Sequence, residues 1–262
     1  EPKDVEVDSN GNIYILELGL NRITKWDSSG TYKKMIGQTK SCNRWSGAWY
    51  FKIYDDKIYI ADFYGKKLLK LDLNGNCLAK ITTHYHYPNG ITVANGFVFV
   101  TRYWDNAIAV YHESNLSLFT SGINIGGYPD MYVPEGISVN AAGDKLAVVA
   151  SYSNRVTIWE LSGGRIGSKI ATLGGSASTA NGSFYYPWDV EFDSNGNIFV
   201  SDIVITETGS IRGSLEVGKV EVNGHVDGKI VADTIIIGKS AVIKGDVFFR
   251  GTLKAEEGAD ID

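Results

Sequence analysis

Over residues 1–202 the apolar positions come in short runs that either alternate with polar ones or continue unbroken: "IYILE", "IYIAD", "VFVTR", "AVVAS", "IFVSD". β-Branched and aromatic residues fill these runs. Asn, Asp, Gly and Ser separate them, as expected for strands joined by tight turns. No stretch carries the 3.6-residue period of an amphipathic helix. The pattern predicts an all-β chain.

The runs also repeat. "DVEVDSNGNIYI" begins at Asp4 and "DVEFDSNGNIFV" at Asp189, differing only at Val7/Phe192, Tyr14/Phe199 and Ile15/Val200. The offset is 189 − 4 = 185 residues, or four units of about 46, the range of a four-stranded propeller blade. Intermediate copies start at Trp49 ("WYFKIYDDKIYIAD"), Pro88 ("PNGITVANGFVFVTR") and Pro134 ("PEGISVNAAGDKLAVVAS"). Each gives a short strand, an Asn-Gly or Asp-rich turn, a second strand, a turn, a third strand ("NRITKWD", "KKLLKLD", "NAIAVYH", "NRVTIWE") and a looser fourth. The expectation is a β-propeller of four full blades and the first two strands of a fifth. The fifth stops after Ser201-Asp202. Three explanations are open: a fragment of a larger ring, a small irregular ring, or strands supplied by the following segment.

"EPKDVEVDSNGNIYILELGLNRITKWDSSGTYKKMIG", "YYPWDVEFDSNGNIFVSD" and the Gly-rich link "LGGSASTANGSFYYP" resemble NHL repeats. That resemblance covers about residues 1–202 and implies a propeller.

After Asp202 the pattern changes. Of 31 aromatic residues (10 Phe, 6 Trp, 15 Tyr) only Phe248 and Phe249 lie beyond it, and none of the five prolines does. The boundary is therefore placed between domains 1–202 and 203–262. The tail repeats G-x-[IV]-x-G-x-[ILV], with Ile211, Val226, Ile243 and Ile261 spaced 15, 17 and 18 residues apart. That period suits one turn of a β-helix, with Ile, Val and Leu stacked inward and glycines at the corners. "GSIRGSLEV", "VEVNGHVDGKIVAD" and "AVIKGDVFFRGTLKAEEGADID" resemble the bactofilins, polymer-forming cytoskeletal proteins. The resemblance implies a short right-handed parallel β-helix and end-to-end self-association without a nucleotide. The last rung shows no polar cap, which fits stacking or truncation.

The net charge of −5 argues against nucleic acid as the partner. No apolar run reaches the roughly 18 residues of a spanning helix, so membrane association would need a segment this chain does not contain. Glu1 reads as a processed or fragment end. Cytoplasmic, membrane-associated and exported locations all stay open. The two cysteines, Cys42 and Cys77, are expected not to pair, because their connections should leave a blade on opposite faces.

Candidate chemistry is sparse. The last residue of each second strand, Glu17, Asp62, Arg102, Ser151 and Asp202, forms either a polar binding rim or a set of local turn caps. Arg102 departs from the capping reading because a guanidinium accepts no hydrogen bond. With the loop aromatics Tyr103 and Trp104 it is a candidate ligand contact. His84 and His86, at alternate positions of "HYHYPNG", would face one way on an extended segment, but two ligands are too few for a metal site. The "DSNGN" turns lack the spaced acceptors of a calcium loop. No nucleotide loop or nucleophile elbow is present, and no cofactor is expected. Phe248 and Phe249 should point one in and one out of the β-helix. With Ile261 they are the candidate self-association residues. The reading is a non-enzymatic scaffold whose β-helix self-associates and whose propeller docks a protein or glycan. The alternatives are a propeller binding protein on a β-helical stalk and, less favoured, a propeller lyase or lactonase.

Overall fold

The computed structural model describes residues 2–37, 44–84, 86–123, 127–174, 184, 187–200, 203–205 and 210–261. Cys42, Asp202 and most of the Gly-rich link lie outside them. The strands follow the sequence repeat. The first sheet holds β1 (Pro2–Val7), β2 (Ile13–Glu17), β3 (Arg22–Trp26) and β4 (Tyr32–Ile36), and the second β5 (Ala48–Tyr54), β6 (Lys57–Asp62), β7 (Lys67–Asp72) and β8 (Cys77–Thr82). A third holds β9 (Pro88–Ala94), β10 (Phe97–Arg102), β11 (Ala107–His112) and β12 (Leu118–Ile123). The fourth holds β13 (Pro134–Val139), β14 (Lys145–Ala150), β15 (Arg155–Ser162) and β16 (Arg165–Gly174). Each sheet pairs its strands in chain order, with β1–β2, β5–β6, β9–β10 and β14–β15 antiparallel. The fifth repeat gives only β17 (Val190–Phe192) and β18 (Ile198–Val200).

One turn recurs wherever Asp-x-[Asn/Ser]-Gly occurs. Asp8 Oδ1 accepts from the backbone N–H of Asn10 (3.0 Å) and Asn12 (2.9 Å). Asp27, Asp72 and Asp193 repeat this geometry on the residues two and four further on. The carboxylate supplies the acceptors that a tight turn lacks. Burial pushes the Asp8, Asp72 and Asp193 carboxyls up, but hydrogen bonds from the Asn12, Asn76 and Asn197 side-chain amides, and then these backbone ones, outweigh it and hold all three below the usual carboxylate range. The motif is a hairpin device.

The chain divides into two compact units. The first is Glu1–Ile125, Pro134–Ile137 and Ser162–Arg165, and the second is Gly126–Val133, Ser138–Leu161 and Ile166–Asp262. In the first unit the leading strands of successive blades lie side by side, β1 against β5 and β5 against β9. The third-blade Gly90 meets Glu135 so closely that a Cβ would stand 2.0 Å from the Glu135 carbonyl oxygen. Thr101 Oγ1 fills that seam, accepting from Gly90 N–H (2.7 Å) and donating to Glu135 O (2.8 Å). Blades two and three are also joined by an ion pair between buried Lys70 and half-buried Glu113, 2.7 Å apart. The Tyr59 hydroxyl donates to the same carboxylate. Burial first, and Glu113 second, push the Tyr59 phenol far above its ordinary range.

Cys77, at the start of β8, is disulfide-bonded. The chain's one other cysteine is Cys42. The expectation that the two stay apart is therefore corrected. It rested on assigning them to opposite faces from blade topology alone. The Cys77 side chain instead packs against the core of the first two blades.

In the second unit the chain leaving β18 does not turn back to make a third blade strand. β19 (Ile203–Ile205) pairs in parallel with β20 (Ser210–Val222), opening the first rung. β21 (His225–Ile237) lies parallel on β20, followed by β22 (Val242–Lys244), β23 (Val247–Ala255) and β24 (Asp260–Ile261). The register joins Ile211 to Val226, Val226 to Ile243 and Ile243 to Ile261, the column the 15-, 17- and 18-residue spacing predicts. Val226, Ile230, Ile235, Ile237 and Ile243 are wholly buried. They form one hydrophobic cluster with Val190 and Val200 of the half-blade and with Ala147, Val149 and Val156 of the fourth blade. The half-blade thus closes its core on β-helical rungs in place of its own missing strands.

Candidate functional site

The turn from second to third blade strand holds the site residues, and the pairing fixes its equivalent positions. The closing pairs are Glu17–Arg22, Asp62–Lys67, Arg102–Ala107 and Ala150–Arg155. The fourth-blade slot therefore belongs to Ala150, and the Ser151 assignment is one residue too far along. Asn21, Lys66, Asn106 and Asn154 close these turns with φ of 48 to 53°, a left-handed geometry that Asn tolerates best after Gly.

The slot residues serve their own hairpins. Asp62 Oδ1 accepts from the Gly65 and Ser46 N–H groups, both at 3.0 Å. Glu17 pairs with Arg22 at 3.0 Å. Arg102 donates through Nε to Asp105 at 2.8 Å. Its other terminal nitrogen lies 2.7 Å from the same carboxylate and 2.9 Å from His86 Nε2. His86 Nδ1 stands 2.6 Å from Asp105. Arg102, His86 and Asp105 thus form one charged cluster with the guanidinium buried in it. His84 does not join them. A φ of 54° places it in a left-handed turn, so the alternation assumed for an extended segment is broken.

Two residues past the slot, each of the second, third and fourth blades presents an aromatic ring: Tyr64, 58% exposed, Trp104, 65%, and Tyr152, 50%. In the first unit these rings belong to a larger cluster that sequence reasoning missed. Phe63, nearly buried, is its hub. Trp49 stacks on Phe63 at 5.2 Å, and Tyr64 and Tyr103 meet it edge-on at 5.1 and 5.4 Å. Tyr87 tilts against it at 5.1 Å. Trp104 stands on Tyr103 at 4.9 Å and 81°. Two faces carry cations, with Lys3 Nζ 4.8 Å over Trp49 and Lys66 Nζ 4.5 Å over Tyr87. The signal available in the sequence was the equivalence of "DFYGKK" and "RYWDNA" as turns. Asn89, two residues after Tyr87, is wholly buried with neither amide atom hydrogen-bonded. Among the described residues no cluster of three or more metal-ligating groups occurs.

The second candidate surface is the last rung. Phe249 pairs with Ala232, Leu253 with Ile235 and Ile261 with Ile243, so all three extend buried columns. They remain 48%, 39% and 49% exposed, because no described rung covers them. Phe249 is the inward ring of the Phe pair, yet it does not fill a core. Phe248, 51% exposed, carries Lys229 Nζ 5.1 Å over its face.

Residues 174–262 match the bactofilin family model, described as polymer-forming cytoskeletal. The match begins upstream of the half-blade, whose strands share the rungs' core. Among solved structures, a streptogramin B lyase is 17% identical with a TM-score of 0.56, over 76% of this chain and 75% of that one. Virginiamycin B lyase from Staphylococcus aureus is 15% identical with a TM-score of 0.56, over 77% and 63%. The nidogen/laminin complex is 16% identical with a TM-score of 0.56, over 77% and 72%. At these identities the likeness shows the fold alone, a β-propeller. No curated protein matches by sequence.

Proposed function

We propose that the chain is a non-enzymatic scaffold protein in which the β-helix self-associates through its last rung and the propeller blades carry a docking head. The observation that carries this reading is the match of residues 174–262 to a polymer-forming family. Phe249, Leu253 and Ile261, each paired with a buried residue of the preceding rung, continue the apolar columns on which a second copy could stack. The disulfide at Cys77 favours an oxidising compartment, and hence an exported protein over a cytoplasmic one.

Deleting residues 203–262 would be a poor test, because the half-blade would lose part of its core. The double variant Phe249→Asp/Leu253→Asp changes exposed positions only. It is expected to leave secondary structure intact and to abolish concentration-dependent assembly in sedimentation velocity and electron microscopy. Assembly unchanged in that variant, or absent from the parent chain at every concentration, would overturn the proposal. A second reading, a binding protein on a β-helical stalk, is favoured by the ring cluster on the second and third blades.

A further inference from the structure

We propose that the aromatic cluster of the second and third blades binds a proline-rich segment of a partner protein in the polyproline II conformation. Proline rings would pack on Trp104 and Tyr64, and the segment's carbonyls would accept from the Trp104 indole and the Tyr64 hydroxyl. This deepens the docking-head reading and rests on it.

Three observations select that occupant. The first is shape. Trp104 and Tyr64 are well exposed, and each stands at 81° to a supporting ring, Tyr103 and Phe63. Half-buried Tyr87 and Tyr103 pack on the same Phe63 hub. Surfaces lined by aromatic rings are where polyproline II segments dock. Rings held by other rings have little freedom left to lose on binding, and a polyproline helix is equally stiff beforehand. The path from Trp104 to Tyr64 runs through three ring contacts of 4.9, 5.4 and 5.1 Å. Two turns of such a helix, at three residues and about 9 Å per turn, cover it.

The second observation is charge. Lys67 is paired with Asp62 at 3.7 Å, and Arg102 with Asp105 at 2.7 Å. Lys3 and Lys66 lie over the Trp49 and Tyr87 rings. The charged groups around the rings are engaged within the protein, so an uncharged occupant fits. The third is the polarity of the hydrogen bonds on offer. Asp62 Oδ1 already accepts from the Ser46 and Gly65 N–H groups, and Asp105 is held by Arg102 and His86. The carboxylates beside the rings are therefore occupied. Among the described residues, neither Trp104 Nε1 nor the Tyr64 hydroxyl has a hydrogen-bond partner, and both can donate. A proline-rich segment is their complement. Each proline carries a carbonyl and no N–H, and the polyproline helix satisfies none of its carbonyls internally. A sugar hydroxyl donates as well as accepts, which this surface serves less well.

The test is isothermal titration of the full chain with a capped oligoproline of about ten residues, a capped Gly-Ser peptide of equal length and maltohexaose. The oligoproline is expected to bind saturably, with little dependence on salt. The other two should bind at least about tenfold more weakly. Trp104→Ala and Tyr64→Ala should each weaken the oligoproline about tenfold. Tyr64→Phe, which keeps the ring and deletes the donor, should weaken it about fivefold. All three variants change exposed side chains, so circular dichroism should be unchanged. No binding of the oligoproline, equally tight binding of either control, or full affinity in Trp104→Ala or Tyr64→Phe would each overturn the proposal. Sedimentation of the same samples reads self-association separately, so failure here and failure of the scaffold reading are distinguishable.

Discussion

The blades and the rungs solve one problem, a hydrophobic strand with hungry edges, in opposite ways. A blade closes on itself. Its four strands run in chain order, its turns are capped by Asp or Asn side chains, and its seams are locked by specific polar contacts such as Thr101 to Glu135 and Lys70 to Glu113. A rung stacks its apolar columns on the next rung and shares its core with the half-blade and fourth blade. Its register simply repeats, Val226 over Ile211 and Ile243 over Val226, and Phe249, Leu253 and Ile261 continue it over Ala232, Ile235 and Ile243. The lesson is that side-chain chemistry fixes the seams of a blade, whereas repetition of an apolar column fixes the register of a rung. The half-blade sits between the two habits, finishing a blade's core with the rungs' valines and isoleucines.

The sharpest way to break the comparison is to cut a column. Ile235 is wholly buried between rungs, and Ile235→Ala should cost about 2–5 kcal/mol. By hydrogen exchange, protection should fall across β20 to β23 and the half-blade, while β5 to β11 keep theirs. Uniform loss over both regions would mean that blades and rungs unfold as one. Next in size is reduction of the disulfide at Cys77. It should cost about 2–4 kcal/mol, read as a lowered midpoint of denaturant unfolding with and without reductant. The loss should appear in the first unit, since Cys77 packs in its core. An unshifted midpoint would show that the polar seams suffice alone.

The smallest effect concerns acid. The carboxyls of Asp8, Asp72 and Asp193 lie below their ordinary values in the folded chain. A lowered folded value means the stabilisation is fully present above the unfolded value of about 3.9 and is lost as pH falls through the folded values. Thermal melts from about pH 6 down to about pH 2 should therefore show declining stability below about pH 4. Asp72→Asn, which cannot titrate, should flatten part of that slope. A slope identical to the parent's would assign the acid sensitivity elsewhere.

Much of this was legible in the chain. Blade strands could be read from alternating and β-branched runs because a strand's pattern has a period of two and its turns demand particular residues. The rungs could be read because stacking repeats the same inward residue at a near-constant interval. The exposed Trp104 beside half-buried Tyr103 could be suspected from the loop that carries them. The slot in the fourth blade was misplaced by one residue, because the pairing Ala150–Arg155 depends on a register that letters do not fix. His84 was misread because a single left-handed residue reverses what alternation predicts.

The sequence by itself determined the two architectures, their order and the column of residues that stacks from rung to rung. Local backbone preference and periodicity are written residue by residue. Only the tertiary structure decided which distant residues meet. Phe63 gathers rings from separate strands and turns, Cys77 takes a bond that topology argued against, and the half-blade completes its core with rungs. Those contacts join positions far apart in the chain. The physical reason is that burial rewards whatever apolar surface comes to hand, whichever repeat it was written in.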